Sequence, residues 1–358
     1  MATLMRVDVR GSHALAPAWA RCAAKDRGNS VPFALSFATG VVDEDADGSA
    51  VQRGAGHTWG MNEDGLPGDE LNLRDAGAVC DVLRGAAEAC RSRAGREGAS
   101  VPLPAEGRLV VAGDLHDEAL NFRRVLALAD LPQRDDTHLV LQELIHGESS
   151  FNGMDLSIRT MTRAALLITR YPDRVVLLLA NHDLAQIRGD PVLKGGLNMT
   201  DTFDAGLDAL FGDRSDEVRD AMSQLVRALP LAARTTEGLL IAHSLPSPKF
   251  IDDFDKSVLD REPTEQDYAP PHGSAYLMVW GRHHTQKVLH ELAEAWGVGT
   301  FLLGHQPVEM GIERQRETSV IVNSDHGHGM AVVADLAKSY DAESLVEAAV
   351  HLAGVRVG

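Results

Sequence analysis

From Arg108 onward the chain is built of short apolar runs, and five of them end on residues that can bind a metal or a phosphate. Leu109 to Ala112 leads to Asp114 and His116, His138 to Leu141 leads to Glu143, and Val175 to Ala180 leads to Asn181 and His182. Leu239 to Ala242 runs into His243, and Phe301 to Leu303 into His305. Two further runs, Ser319 to Val322 and Met330 to Val333, complete the expected strands. Helical spacing suits Ala119 to Leu131, Leu156 to Tyr171, Val218 to Leu229, His283 to Ala295 and Ala342 to Leu352. Continuous apolar strands alternating with helices are the pattern of an α/β domain with buried sheets. Ligand sites in open α/β sheets gather beyond the carboxyl ends of strands, so these separate segments are expected to converge.

Taken singly, each of these residues has an ordinary explanation. Asp114 and His116 fit a strand-end turn, Asn181 a helix cap, and a lone His a satisfied polar residue. Five such strand ends in one chain ask for a common cause. Two carboxylates, four imidazoles and one carboxamide form a mixed oxygen and nitrogen set that Mn²⁺, Fe or Zn²⁺ accepts. Two ions are the expected count, because a carboxylate can bridge cations about 3.5–4 Å apart and acidify a shared water.

Composition narrows the partners. The 358 residues carry 52 Asp plus Glu against 34 Lys plus Arg, a formal net charge of -18 that repels polyanions, so nucleic acid is not an expected partner. A hydrophobic share of 44% is enough for a packed core. Cys22, Cys80 and Cys90 show no metal-type spacing and no disulfide framework, so the expected compartment is reducing and cytoplasmic. No apolar run is long enough to cross a bilayer, so no membrane partner is expected. Val42 to Glu70 holds no sustained period, and residues 1–107 read as an accessory segment with a helix over Leu71 to Arg93 and a loop over Gly95 to Glu106. Residues 108–358 read as the catalytic domain.

Val111-Ala112-Gly113-Asp114-Leu115-His116 resembles the Gly-Asp-x-His motif of the calcineurin-like metallophosphoesterase superfamily, most closely of its phosphoprotein phosphatase branch. Ala180-Asn181-His182-Asp183 resembles the Gly-Asn-His-Asp/Glu motif, Leu303-Gly304-His305-Gln306-Pro307 the late Gly-His-x-Pro motif, and His243 the isolated metal-binding His between them. The resemblance covers roughly Arg108 to Val333. It implies an α/β fold, a metallophosphoesterase-like sandwich of two mixed β-sheets flanked by helices. It also implies two divalent metal ions, with Asp114, His116 and His305 on one, Asn181 and His243 on the other, and Glu143 as the bridge. His182 matches the family's general acid, and Arg282 stands about where phosphoprotein phosphatases hold a substrate arginine.

Gln142-Glu143-Leu144-Ile145-His146-Gly147-Glu148 departs from the family's Gly-Asp-x-x-Asp-Arg-Gly. Glu143 is one methylene longer than the bridging Asp. His146 replaces the Asp that orients the catalytic imidazole, and Gly147 replaces a phosphate-binding Arg. His182 then needs another carboxylate, such as Asp183 or Glu148, or works as a differently tuned acid. Arg123 and Arg124 are expected to be solvated, and His326 and His328 to be turn residues.

The resemblance implies metal-dependent hydrolysis of phosphate esters by an activated water, with phosphoserine or phosphothreonine monoesters favoured as the phosphorylated substrate. Nucleotide phosphoanhydride and phosphodiester hydrolysis are alternatives from nearby branches. A metal-binding scaffold with little catalysis is the reading that the altered Glu143 to Glu148 segment suggests. Residues 184–237 are long enough for a helical cap, whose Asp201, Asp204 and Asp208 would discourage bulky anions if they face the opening.

Overall fold

The apolar runs become the strands of two sheets. The computed structural model describes residues 71–147 and 152–357. Most of the expected accessory segment, including Cys22, and Glu148 lie outside these residues. In chain order the strands are β1 (Ser100–Pro102), β2 (Arg108–Asp114), β3 (Thr137–Gln142), β4 (Val175–Leu177), β5 (Leu193–Lys194), β6 (Leu197–Asn198) and β7 (Ala232–Arg234). They continue with β8 (Leu239–Ala242), β9 (Thr300–Leu303), β10 (Ile312–Arg316), β11 (Ser319–Val322), β12 (Met330–Asp335) and β13 (Ala349–His351). The helices are α1 (Ala76–Ser92), α2 (Ala119–Ala129), α3 (Ile158–Arg170), α4 (Asn181–Arg188), α5 (Met199–Phe211), α6 (Ser215–Val226), α7 (Ser274–Trp280), α8 (Gln286–Trp296) and α9 (Ala342–Glu347).

One sheet has the order β1-β7-β8-β9-β11-β10 and the other β13-β12-β2-β3-β4, with β5 and β6 forming a separate hairpin. Within the first, β8, β9 and β11 run parallel, with Ala242 opposite Leu303. Within the second, β2, β3 and β4 run parallel, and β12 returns antiparallel beside β2. The carboxyl ends of the central strands are therefore the ends that carry the Asp, Glu, Asn and His residues.

Why these strands are apolar at every position follows from their two faces. Leu109, Val111, Val140, Ile241, Leu302, Val320 and Val322 pack with one another in one core cluster. Their neighbours Val110, Ala112, Leu139, Leu141, Leu240, Phe301, Leu303 and Ile321 join a second cluster with the helices. Each strand buries both faces, so period-two alternation of polar and apolar residues disappears.

Helix α1 starts at Asp75, whose carboxylate accepts from the amides of Gly77 and Ala78. Its apolar stripe, including Val79, Leu83, Ala86 and Cys90, packs against α3 and α6 and shares their core cluster. Phe203 and Leu207 of α5 and Val218, Met222 and Leu225 of α6 belong to the same cluster. Three expectations need correction. Gly95 to Glu106 is not only a loop, because Ser100–Pro102 pairs with β7. Strand β4 stops at Leu177, where the Leu178 amide still reaches the Leu141 carbonyl and the Leu179 amide turns to Pro230. The last helix stops at Glu347, and Ala349–His351 is an edge strand beside β12. No helix among the described residues is long and apolar enough to cross a membrane.

Candidate active site

The two sheets meet where their parallel strands end. Asp114, the last residue of β2, forms a bridge with Asn323, just past β11. The Asp114 carbonyl accepts from the Ser324 amide, and its Oδ1 accepts from the His305 amide, both at 3.0 Å. This contact is too close for side chains. A Cβ on Gly113 would lie 2.0 Å from the Val322 carbonyl oxygen, and one on Gly304 would lie 2.4 Å from Asp114 Oδ1. The glycines beside Asp114 and His305 thus allow the seam to close.

Backbone strain marks the same place. His116, Glu143, His146 and His305 adopt φ of 42°, 45°, 62° and 66°, a left-handed conformation that costs a non-glycine residue about 1–3 kcal/mol. The surroundings hold them there: the amides of Leu115 and His116 both donate to the Glu143 carbonyl at 2.9 Å, and the Asp117 amide donates to Leu144. The side chains of His116, Glu143 and His305 line one cleft, and His146 lies buried behind it.

The hydrogen bonds fix the imidazole lone pairs. Nδ1 of His116 donates to the Ile145 carbonyl at 2.9 Å, which leaves Nε2 as the free acceptor. Nδ1 of His243 donates to Gln142 Oε1 at 3.1 Å, and Gln142 is itself oriented by donating to the Ala112 carbonyl. The His243 Nε2 lone pair therefore faces Asn181 Oδ1 at 2.8 Å and Glu143 Oε2 at 3.1 Å. Nδ1 of His305 lies 2.9 Å from the same Asn181 oxygen. On the other side, Glu143 Oε1 is 3.5 Å from Nδ1 of His182, and the His116 and His182 rings lie 5.1 Å apart.

Burial makes this a costly set of groups to leave alone. Glu143 is 1% exposed, its Oε1 has no hydrogen-bond partner, and neither has Nδ1 of His182. Desolvation pushes Asp114 up to about 7 and Glu143 up to about 8. The same burial holds His116 down to about 3 and His243 to about 4, and lowers His182 and His305 further below the usual range. Converging lone pairs and buried carboxylates are the arrangement a cation satisfies. Among the described residues, two groups meet the distance requirement for one: His116, Glu143 and His182, and Glu143, His243 and His305. Glu143 belongs to both.

All of these but His243, which lies directly behind Asn181, line a cleft of about 530 Å³, which also receives Asp117, Glu118, Lys194, Arg282, Pro307, Asn323, Asp325 and His326. A profile of the calcineurin-like phosphoesterases matches residues 107–334. The chain belongs to the calcineurin-like phosphoesterase family. It is a metal-binding phosphoric ester hydrolase of that family. Its fold is similar to that of a protein serine/threonine phosphatase from Saccharomyces cerevisiae with similarity to human phosphatase PP5 (TM-score 0.54, 15% identity, 74% of this chain and 85% of that one). A cold-active protein-tyrosine phosphatase of a Shewanella species is more distant (TM-score 0.42, 13% identity, 69% of this chain and 78% of that one). Proteins of curated function give no match.

Within this phosphoesterase, the six expected metal-binding residues and both expected catalytic residues line or directly back the cleft. His305 differs from expectation in its company. Its backbone amide goes to Asp114, while its ring meets Asn181 and His243. Arg282 lies in the loop between α7 and α8, where its Nε donates to His305 Nε2 at 3.0 Å. Asp183 does not fill the place of the lost family Asp. Its Oδ2 accepts from the Ala180 amide at the start of α4, and its Oδ1 has no partner. Instead the His146 ring lies 5.0 Å from that of His182, with Nε2 donating to Gln186 Oε1 at 2.9 Å.

His326 lines the cleft, yet Nε2 donates to the Val308 carbonyl and Nδ1 accepts from the His328 amide, as suits a turn residue. Arg123 and Arg124 do not line it. Nor do Asp201, Asp204 and Asp208: Arg219 pairs with Asp204, Asp208 and Asp216 instead. Sequence reasoning missed Gln142, which sets the His243 tautomer, and Lys194, carried into the cleft by the β5–β6 hairpin. A strand-end polar residue signalled Gln142. Nothing signalled Lys194, because a two-residue strand has no readable period.

Proposed function

We propose that the protein hydrolyses phosphomonoesters, phosphoserine and phosphothreonine foremost, at a pair of divalent ions (Mn²⁺, Fe or Zn²⁺). Asp114, His116 and Glu143 would hold one ion, and Glu143, Asn181, His243 and His305 the other. The observation that carries this reading is the membership of Glu143 in both potential cation groups. Bound there, two ions acidify a shared water and neutralise phosphate oxygens.

The remaining roles belong to the chain's own side chains. His182, beside Glu143 and open to the cleft, protonates the departing oxygen. With a cation at its Nδ1, His305 would carry its proton on Nε2 and would no longer accept from Arg282. The guanidinium is then available to grip two phosphate oxygens. Lys194 adds a second cation to the same cleft. Residues 184–237 supply this lysine, so their part in catalysis is to shape the opening, while residues 108–358 form the catalytic domain. Cys80 and Cys90, buried and unbridged, fit a reducing, cytoplasmic setting.

The test is a substrate panel on Mn²⁺-loaded protein: phosphoserine and phosphothreonine peptides, a dinucleoside polyphosphate and a phosphodiester. The reading predicts that the phosphomonoesters are turned over fastest and that Asp114→Ala or Asn181→Ala abolishes metal-dependent turnover. Faster hydrolysis of the anhydride or diester would reassign the substrate. Bound metal without turnover of any of them would favour a scaffold.

A further inference from the structure

Among the described residues, four large apolar side chains stand exposed: Leu120, Leu193, Leu197 and Met310. All of them are close in the chain to the cleft. Leu120 follows the cleft residue Glu118 by two positions, Leu193 precedes Lys194, Leu197 comes three after it, and Met310 comes three after Pro307. A trans chain advances at most about 3.6 Å per residue, so each Cα lies within roughly 11 Å of that of a cleft-lining residue. Elsewhere on the described surface, large apolar side chains are buried or only partly exposed. Apolar groups gathered around a polar cleft mark a contact surface.

The β5–β6 hairpin is the part of this rim built to reach outward. Leu193 pairs with Asn198 and Lys194 with Leu197. Directly opposed residues share a face, so Leu197 stands on the same side as the lysine that lines the cleft, and Leu193, one residue before Lys194, stands on the other. Gly195 and Gly196, with φ of 58° and 83°, make the tight two-residue turn. The base is held firmly. The Val192 amide donates to Asn198 Oδ1 at 3.1 Å, the Met199 amide donates to the Val192 carbonyl at 2.8 Å, and Val192 and Met199 pack with Ala185 against Trp280. A fixed base thus presents a tip on which Leu197 is 50% exposed.

Hydrolysis of a bare phosphomonoester needs none of this apolar surface. We propose that Leu197, on the cleft side of the hairpin, packs on the polypeptide that carries the phosphorylated side chain, so that the enzyme selects phosphopeptides with a large apolar residue beside the phosphoresidue. The proposal rests on the phosphomonoesterase reading above and adds its specificity. Charge supports the choice of occupant. Lys194 and Arg282 favour the phosphate, whereas Asp117, Glu118 and Asp325 in the same cleft oppose acidic flanking residues. Neutral apolar neighbours are what remain favourable.

The test compares kcat/KM of the Mn²⁺-loaded full chain on p-nitrophenyl phosphate and on two phosphoserine peptides, identical except for Leu or Ser on both sides of the phosphoserine. The Leu peptide should be preferred by about tenfold, in line with burial of one leucine-sized group. Leu197→Ser should remove that preference and leave p-nitrophenyl phosphate turnover unchanged, which also shows that the variant is folded. Equal rates on the two peptides, or a preference that survives in Leu197→Ser, overturns the contact while the aryl ester keeps the hydrolase reading intact. Sedimentation that shows a dimer dissociated by Leu197→Ser overturns it too, assigning the leucine to a second copy. Failure of the parent protein on all three substrates removes both readings together.

Discussion

Nε2 of His243 lies 3.1 Å from Oε2 of Glu143, across the seam between the two sheets. Glu143 follows β3 in one sheet and His243 follows β8 in the other, so the contact exists only because the sandwich brings two strand ends together. Gln142 keeps the His243 proton on Nδ1, and an ionised Glu143 would then set lone pair against lone pair. Either a proton or a cation must stand between them.

That competition has a pH signature. Burial raises Asp114 from 3.8 to about 7 and Glu143 from 4.5 to about 8, so the stability that their protons contribute is full below the ordinary values and lost as pH rises through 7 to 8. His116 and His243 are depressed from 6.5 to about 3 and about 4, so their contribution is present above 6.5 and lost as pH falls toward those values. Ion-free protein should therefore be most stable between the two limits, near pH 6.5. Mn²⁺ should raise Tm more at pH 8 than at pH 6, because fewer protons must be displaced. Calorimetry at both values decides this, and a Tm shift of equal size would sink the argument.

His182→Ala should separate substrates by leaving group. Removing a general acid costs about 10²- to 10⁴-fold on an alkyl phosphate, whereas an activated aryl phosphate needs little protonation and should lose far less. Equal losses on phosphoserine peptide and p-nitrophenyl phosphate would argue that His182 acts otherwise.

Arg282→Lys should not restore what Arg282→Ala removes. A planar fork grips two oxygens and an ammonium grips one, so both variants should raise KM for the phosphomonoester by about tenfold or more. Near-parental KM in the lysine variant would reduce Arg282 to a point charge.

Gly304→Ala tests the closeness of the seam. Its Cβ would lie 2.4 Å from Asp114 Oδ1 and 2.7 Å from Gln142 Oε1, so the Asp114 carboxylate must move. The variant should lose about 1–3 kcal/mol of stability and bind metal more weakly. Parental stability and metal affinity would show that the seam relaxes freely.

The sandwich was legible because its central strands are buried on both faces, and Leu239–Ala242 and Ser319–Val322 are where the apolar runs predict them. The edges were not. Ile312–Arg316 carries Glu and Arg on an exposed edge, and Ala349–His351 continues an apolar period that reads as helix. For the site, strand-end chemistry pointed to residues that the fold gathers at one cleft, but not to which of them would be neighbours there. The side to which the His305 ring turns depends on a left-handed backbone that spacing does not encode. Lys194 depends on a hairpin of two-residue strands, held by Asn198 and by packing of Val192 and Met199.

The most direct test of the central claim is metal stoichiometry per chain after Mn²⁺ reconstitution and exhaustive dialysis, for the parent protein and for Glu143→Ala. A carboxylate shared by two sites predicts two ions in the parent and one or none in the variant. Two ions retained by the variant would show that Glu143 bridges nothing, and none retained by a folded parent would contradict the metal centre itself.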